Sequence, residues 1–369
     1  MPENSTRSRL AGSWQRTGVA VTAATVFLVG GAYVHANAAT AQSDSSNASA
    51  TTTVSTAAVS DVVTAANTFL NTLSTSQKSQ VLLGFTEANA TAWSNLPCGS
   101  SCRVGIQFST LSSTQLAAAK AVVQAATGTG SGTGYDQVSK ILAADDILGQ
   151  SSGGYGSGNY YLAFLGTPST SGTWQLHFGG HHLAVNLTYK DGAVEGTTPY
   201  FVGVEPSSWT SNGTTYAPLS GMRDAMVAML AGLSSSQLSQ AKLSSSFSDV
   251  LLGPGKDGQF PTTKQGLAVS GLSSAQQALV LAAITPWVKV ADDTTSASLL
   301  ATYQSELAGT YISYSGGSGL SSQGDYVRID GPGVWIEFVC QNGVIYRNQV
   351  HYHTVYRDHT RDYGGEFAF

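Results

Sequence analysis

The sequence predicts an α+β protein: an antiparallel or mixed β-sheet carrying N-capped helices. Three observations predict it. The pattern L-S-x-x-Q occurs four times, each time ahead of a helix-forming run. Asp191-Gly192 and Asn342-Gly343 each separate two strand-like segments. Both halves of the chain run helices first and strands second, which suits helices packed on a central sheet.

The four repeats begin at Leu73, Leu111, Leu233 and Leu272. The Ser is an N-cap that accepts a hydrogen bond from the N3 amide. The Gln at N3 reaches back to the cap amide, and the preceding Leu forms a staple. The uneven spacing of the copies excludes a solenoid. It predicts two halves related as a pseudo-repeat, each with a pair of capped helices. The first half continues through the Gly-rich 153–158 into YYLAFLG (160–166) and WQLHF (174–178). The second continues into YVRID (326–330) and VWIEFV (334–339). Asp-Gly and Asn-Gly suit type I′ hairpins because both central residues take positive φ. A two-residue turn at Asn342-Gly343 pairs Val334 with His351 and Glu337 with Asn348, pointing Glu337 away from the C-terminal histidines.

At 369 residues the chain has ample length for a sizeable core. Residues 59–369 are expected to form a single α+β domain. Ahead of it, Arg7, Arg9 and Arg16 precede an apolar stretch from Gly18 to Val34, then Ala36-Asn37-Ala38. This is the pattern of an export signal over 1–38, so the protein is expected to be secreted, with an uncleaved anchor as the alternative. Residues 39–58 are nearly all small or polar and read as a disordered Ser/Thr/Ala linker. The net charge of -5 gives no basic surface, which argues against a nucleic-acid partner. No membrane partner is expected beyond the export signal; the expected partner is a small-molecule or polymer substrate. Of the three cysteines, Cys98 and Cys102 are close enough to form a disulfide. A metal pair there lacks a second cysteine pair. Cys340, in the apolar run VWIEFVC, reads as a buried thiol.

Six of the seven histidines fall in two short segments. WQLHFGGHHL holds His177, His181 and His182, and HYHTVYRDH holds His351, His353 and His359. Residues two apart on a strand share a face roughly 6.6 Å apart, so His351 and His353 can converge on one ion. A bulge at Gly179-Gly180 would bring His181 and His182 toward the same cavity. The expected ligands are therefore His181, His182, His351 and His353. Such an imidazole set suits a transition metal, Zn or Cu, and no D-x-D-x-D calcium loop is present. His359 is expected outside the site. Arg357 is placed to hold a substrate carboxylate or phosphate, and Asp358 or Asp362 to act as a general base. The alternative is an Arg–Asp ion pair that pins the C-terminal segment. Asp145-Asp146 reads as a solvated pair near a helix end. There is no H-E-x-x-H helix or P-loop. The leading expectation is a metal-dependent hydrolase using Zn-activated water. A copper or iron oxidoreductase is the alternative, as is a non-catalytic ligand- or metal-binding module.

Several motifs occur in order along the chain: Trp174 with Gly180-His181-His182-Leu183; Pro199, Phe201, Gly203 and Pro206; Trp335-Ile336-Glu337-Phe338; and His351, His353, Arg357, Asp358 with Asp362-Tyr363-Gly364. Upstream stand Trp93, Asn95-Leu96-Pro97, Arg103, Gly105 and Gly134-Tyr135. Together they resemble the DUF3500 family over roughly 60–367. The resemblance implies no reaction. It does imply that the GHHL histidines and the His, Arg and Asp positions of the C-terminal motif form a site. The Ser/Thr tether and Cys98/Cys102 stand apart from the resemblance.

Overall fold

The computed structural model describes residues 56–369. The expected export signal, and all but the last residues of the expected linker, lie outside the described residues. Helix α1 (Thr56–Asn71) opens the described chain and is followed by α2 (Thr75–Val81), α3 (Glu87–Ala90), α4 (Ser113–Ala126) and α5 (Gly134–Ser151). Later come α6 (Ser220–Ala231), α7 (Ser235–Ala241), α8 (Ser274–Val288) and α9 (Asp293–Ser305). All four L-S-x-x-Q segments start helices, with Ser74, Ser112, Ser234 and Ser273 as N-caps and both hydrogen bonds of the capping box formed. The cap glutamines also pair with one another. Gln115 Nε2 donates to Gln77 Oε1 at 3.0 Å and Gln276 Nε2 to Gln237 Oε1 at 2.8 Å. This local likeness ties the helix starts of each half together; a repeat of the whole halves does not follow from it.

The strands are β1 (Leu82–Leu83), β2 (Ile106–Gln107), β3 (Tyr161–Leu165), β4 (Thr173–Gly180), β5 (Leu183–Lys190), β6 (Ala193–Gly196) and β7 (Tyr200–Val204). Then follow β8 (Trp209–Ser211), β9 (Thr214–Tyr216), β10 (Leu267–Ala268), β11 (Tyr311–Ser315), β12 (Tyr326–Asp330), β13 (Val334–Asn342) and β14 (Val350–Asp358). Twelve of them form one mixed sheet in the order β1-β3-β4-β5-β7-β14-β13-β12-β11-β10, with β2 on β3 and β6 on β5. The fold is therefore α+β. The pair β1–β3 is parallel and the rest are antiparallel.

The sheet separates two environments, and β14 shows both. Its even-numbered side chains meet the helical layer: Trp287 of α8 donates to Thr354 Oγ1 at 2.8 Å, and Tyr303 of α9 meets Tyr356 at 2.6 Å. The odd-numbered side carries His351, His353, Val355 and Arg357. Val355 packs there with Trp93, Phe201, Val250 and Val339 in a smaller apolar cluster.

Two hairpins part company. Asp191 and Gly192 take positive φ and join β5 to β6 tightly, as the dipeptide predicts. Asn342-Gly343 does not make a two-residue turn. Val334 pairs with Asp358, Glu337 with Val355 and Gln341 with His351. The chain between β13 and β14 is instead a longer loop, closed by Gly343 N–H donating to Gln349 O at 3.1 Å. Its Ile345 and Tyr346 amides both donate to Glu205 Oε1 at 2.7 Å. This tertiary anchor overrides the local turn preference and shifts the register. Glu337 thus shares the face of the histidines. It is still no ligand, because its oxygens accept from the Leu251 and Leu252 amides, Tyr326 and Trp335.

Cys98 and Cys102 are joined in a disulfide, and Cys340 is a buried free thiol.

Candidate metal centre

The site forms where three chain segments meet, one turn and two strands. The first is the β4–β5 hairpin. Its ladder runs without a bulge to Gly180↔Leu183, so His181 and His182 are the two turn residues. Gly180 is needed there because a Cβ would lie 2.6 Å from the Tyr160 ring. The expectation of a strand bulge is corrected: the histidines enter the site from a turn. The second is β7, where Gly203 donates its amide to His182 O at 2.8 Å. A Cβ on Gly203 would lie 2.6 Å from His182 Cδ2 and 2.9 Å from His353 Cδ2, so only glycine leaves room for both rings. The third is the start of β14, with His351 and His353 on one face.

His182, His351 and His353 converge. One ring nitrogen from each lies within 4.8 Å of the others, and all three residues are buried. His182 Nε2 and His351 Nε2 are 2.9 Å apart. Imidazoles bound to one zinc ion at ~2.0–2.1 Å in a tetrahedron would place their nitrogens roughly 3.3 Å apart, close to this spacing. His353 Nε2 is buried without a hydrogen-bond partner among the described residues.

Each imidazole has a carboxylate behind it. Asp145 Oδ1 lies 2.8 Å from His182 Nδ1 and Asp249 Oδ1 2.9 Å from His353 Nδ1. Glu205 Oε2 lies 3.8 Å from His351 Nδ1. For His182 and His353 that carboxylate is within hydrogen-bond distance, so it holds the proton on Nδ1 and leaves Nε2 to face an ion, whereas His351 Nδ1 has no hydrogen-bond partner among the described residues. None of these carboxylates has a Lys or Arg ion-pair partner among the described residues. Three buried or half-buried carboxylates thus surround three imidazoles with no Lys or Arg at ion-pair distance among the described residues, an arrangement that suits a bound cation. The buried His/Asp group could hold a metal ion.

The charge states fit. Burial, reinforced by neighbouring histidines, lowers His182 to about 3, although Asp145 pulls it upward. Burial and then His353, His182 and His181 depress His351 further still. Burial opposes ionisation of Asp145, yet His182 and His181 together hold its carboxyl well below the usual range. Neutral His182 and His351 rings beside an ionised Asp145 are the states a metal needs.

The other expected residues fall elsewhere. His181 stacks against His182 with ring centroids 3.7 Å apart and approaches Asp145 Oδ1 at 3.5 Å, on the outer side of His182. Arg357 is wholly buried. It donates through Nε to Asp362 Oδ2 at 2.8 Å, and also to Asp257. Asp362 Oδ1 accepts from the Asp358 amide at 3.0 Å. Asp358 points to the opposite face, where it accepts from Tyr303, Thr360 and Arg361. These three residues form the ion-paired lock of the C-terminal segment and do not touch the histidines. His177 reaches Ala92 O at 3.2 Å, and His359 stacks on Phe260 at 4.0 Å; both lie apart from the cluster.

Over residues 55–365 the chain matches DUF3500, described as a protein of unknown function. The chain belongs to the DUF3500 family. No curated protein and no solved structure matches it.

Three site residues escaped the reading of the sequence. In this DUF3500 chain Asp145 is 1% exposed, not solvated. It continues the buried stripe Val138, Ile141, Leu142, Leu148 on α5, and that stripe is the signal that would have found it. Its neighbour Asp146 is the one at the surface, accepting from the Ser157 amide. Asp249 and Glu205 sit in irregular chain with no local pattern to mark them.

Proposed function

We propose that this DUF3500 protein is an exported metal-binding protein whose His182, His351 and His353 hold one transition-metal ion, zinc or copper. The observation that carries the reading is the unbalanced cluster: three converging imidazoles, each with a carboxylate at its Nδ1 side, and no Lys or Arg to offset the three negative charges. Three imidazoles leave the fourth tetrahedral position of zinc for water, whose acidity the ion raises. Metal-activated hydrolysis is therefore the reaction class we adopt. A redox reaction at copper uses the same ligands.

One observation favours a second reading, metal binding without turnover. The ligands are only 0%, 2% and 4% exposed, and the nearby carboxylates back the rings instead of facing the open position. Export rests on the N-terminal sequence pattern, and N-terminal sequencing of the protein recovered from culture medium tests it.

The test is metal content after purification and reconstitution, wild type against His351→Ala/His353→Ala. About one tightly held ion per chain, lost in the variant, supports the reading. A wild-type chain that stays metal-free after reconstitution overturns it. An electron paramagnetic resonance signal separates copper from zinc. Release of product from activated esters, abolished by chelation, separates hydrolysis from binding alone.

A further inference from the structure

We propose that the cluster takes a second divalent transition-metal ion on the outer side of His182, held by His181 Nδ1, Asp145 Oδ1 and His182 Nδ1. The His182 ring then bridges the two ions as an imidazolate. The inference rests on the reading of His182, His351 and His353 as a metal site.

His182 is the one residue common to two ligand groups. One comprises His182, His351 and His353; the other Asp145, His181 and His182, again with ligand atoms within 4.8 Å of one another. The two groups use opposite nitrogens of the same ring. Nε2 lies 2.9 Å from His351 Nε2, and Nδ1 lies 2.8 Å from Asp145 Oδ1. Asp145 Oδ1 also lies 3.5 Å from His181 Nδ1, while Asp145 Oδ2 is fixed by the Tyr160 hydroxyl at 2.9 Å. The carboxylate is thus held with one oxygen presented to both rings.

Charge argues for a second ion. Asp145, Glu205 and Asp249 carry three negative charges, and one divalent ion leaves one of them unbalanced. A second divalent ion, with loss of the remaining His182 ring proton, brings the group to neutrality. Access argues for its position. The His181 side chain is 11% exposed while that of His182 is fully buried, so His181 is the most exposed of the four histidines. The Tyr155 ring meets it edge-on at 4.8 Å.

In the proposed step a bond forms between the second ion and His182 Nδ1, and the Nδ1–H bond breaks. The proton passes to solvent, and nothing is oxidised or reduced. With one ion bound, Asp145 orients His182; with two, it becomes a ligand.

The test is titration of the purified full chain with Cu²⁺, following bound copper, paramagnetic signal and released protons. The expected result is two ions per chain. The signal falls well below that of two independent coppers, because spins couple through the bridge, and an extra proton appears with the second ion. His181→Ala, or His181→Gln if the alanine variant folds poorly, is expected to bind one ion with its full signal. Wild type that stops at one ion overturns the bridge and leaves the inner site standing. So do two ions that keep a full, uncoupled signal, or coupling that survives in both His181 variants. No bound ion at all overturns the inner site as well.

Discussion

β14 carries a charged cluster at each end, and the two are resolved in opposite ways. At the Arg357 end, cation and carboxylates answer one another. Arg357 sits between Asp257 and Asp362, Tyr363 donates to Asp257 at 2.7 Å, and the Trp93 indole donates to Tyr363 at 2.9 Å. At the histidine end, three carboxylates lie behind three imidazoles, His353 Nε2 has no partner, and none of the three carboxylates is ion-paired to a Lys or Arg among the described residues. Both groups are buried and rich in titratable residues. Density of ionisable side chains therefore does not distinguish a lock from a site; the unmet charge does.

Breaking the lock should cost most. Arg357→Met leaves Asp257 and Asp362 buried without their cation. About 3–5 kcal/mol of stability should be lost in denaturant unfolding, with metal stoichiometry unchanged in the folded fraction. A variant as stable as wild type would mean that the network is dispensable.

The histidine end should respond to metal instead. Excess chelator should lower the melting temperature of metal-loaded wild type and leave His351→Ala/His353→Ala unmoved. The ion stabilises only the folded chain, by ~4 kcal/mol at a thousandfold excess over Kd. Equal shifts in both proteins would break the comparison. Removing one backing carboxylate is milder. Asp249→Asn should weaken metal affinity about 10–100-fold in competition with a calibrated chelator, and an unaltered affinity would remove Asp249 from the site.

Acid sharpens the contrast. Burial depresses His177 to about 4 and His182 to about 3 in the folded chain. Below the ordinary histidine range the unfolded chain takes up protons that these rings refuse. Metal-free stability should then fall with pH by roughly 1.4 kcal/mol per pH unit for each ring between about pH 6.5 and 4. Flat stability over that window, measured by urea unfolding, would contradict neutral buried rings. The smallest effect is expected at Cys340, whose thiol burial and then Asp325 push up to about 12. It should not react with thiol reagents at pH 8 until the chain unfolds.

Much of the fold was legible in the sequence because its signals are local. A Ser–x–x–Gln cap satisfies its own backbone, and Asp191-Gly192 closes its own turn. The two histidine segments were legible as dense chemistry, and three of their residues meet although 169 positions separate His182 from His351. What was not legible depends on contacts between distant segments. The Asn342-Gly343 loop is shaped by Glu205, and Glu337 is occupied by the Leu251 and Leu252 amides. Arg357 was legible as an ion-pair candidate, but its partner Asp257 lies a hundred positions upstream. His181 illustrates the limit of adjacency: it neighbours His182 in the chain yet lies on the far side of its ring from His351.

X-ray absorption of the chain loaded with less than one equivalent of zinc is the direct test of the His182, His351 and His353 metal site. Zinc held by His182, His351 and His353 gives three imidazole nitrogens at ~2.0–2.1 Å, with their outer-ring scattering lost in His351→Ala/His353→Ala. A zinc shell of oxygen alone, or one unchanged in that variant, would contradict it.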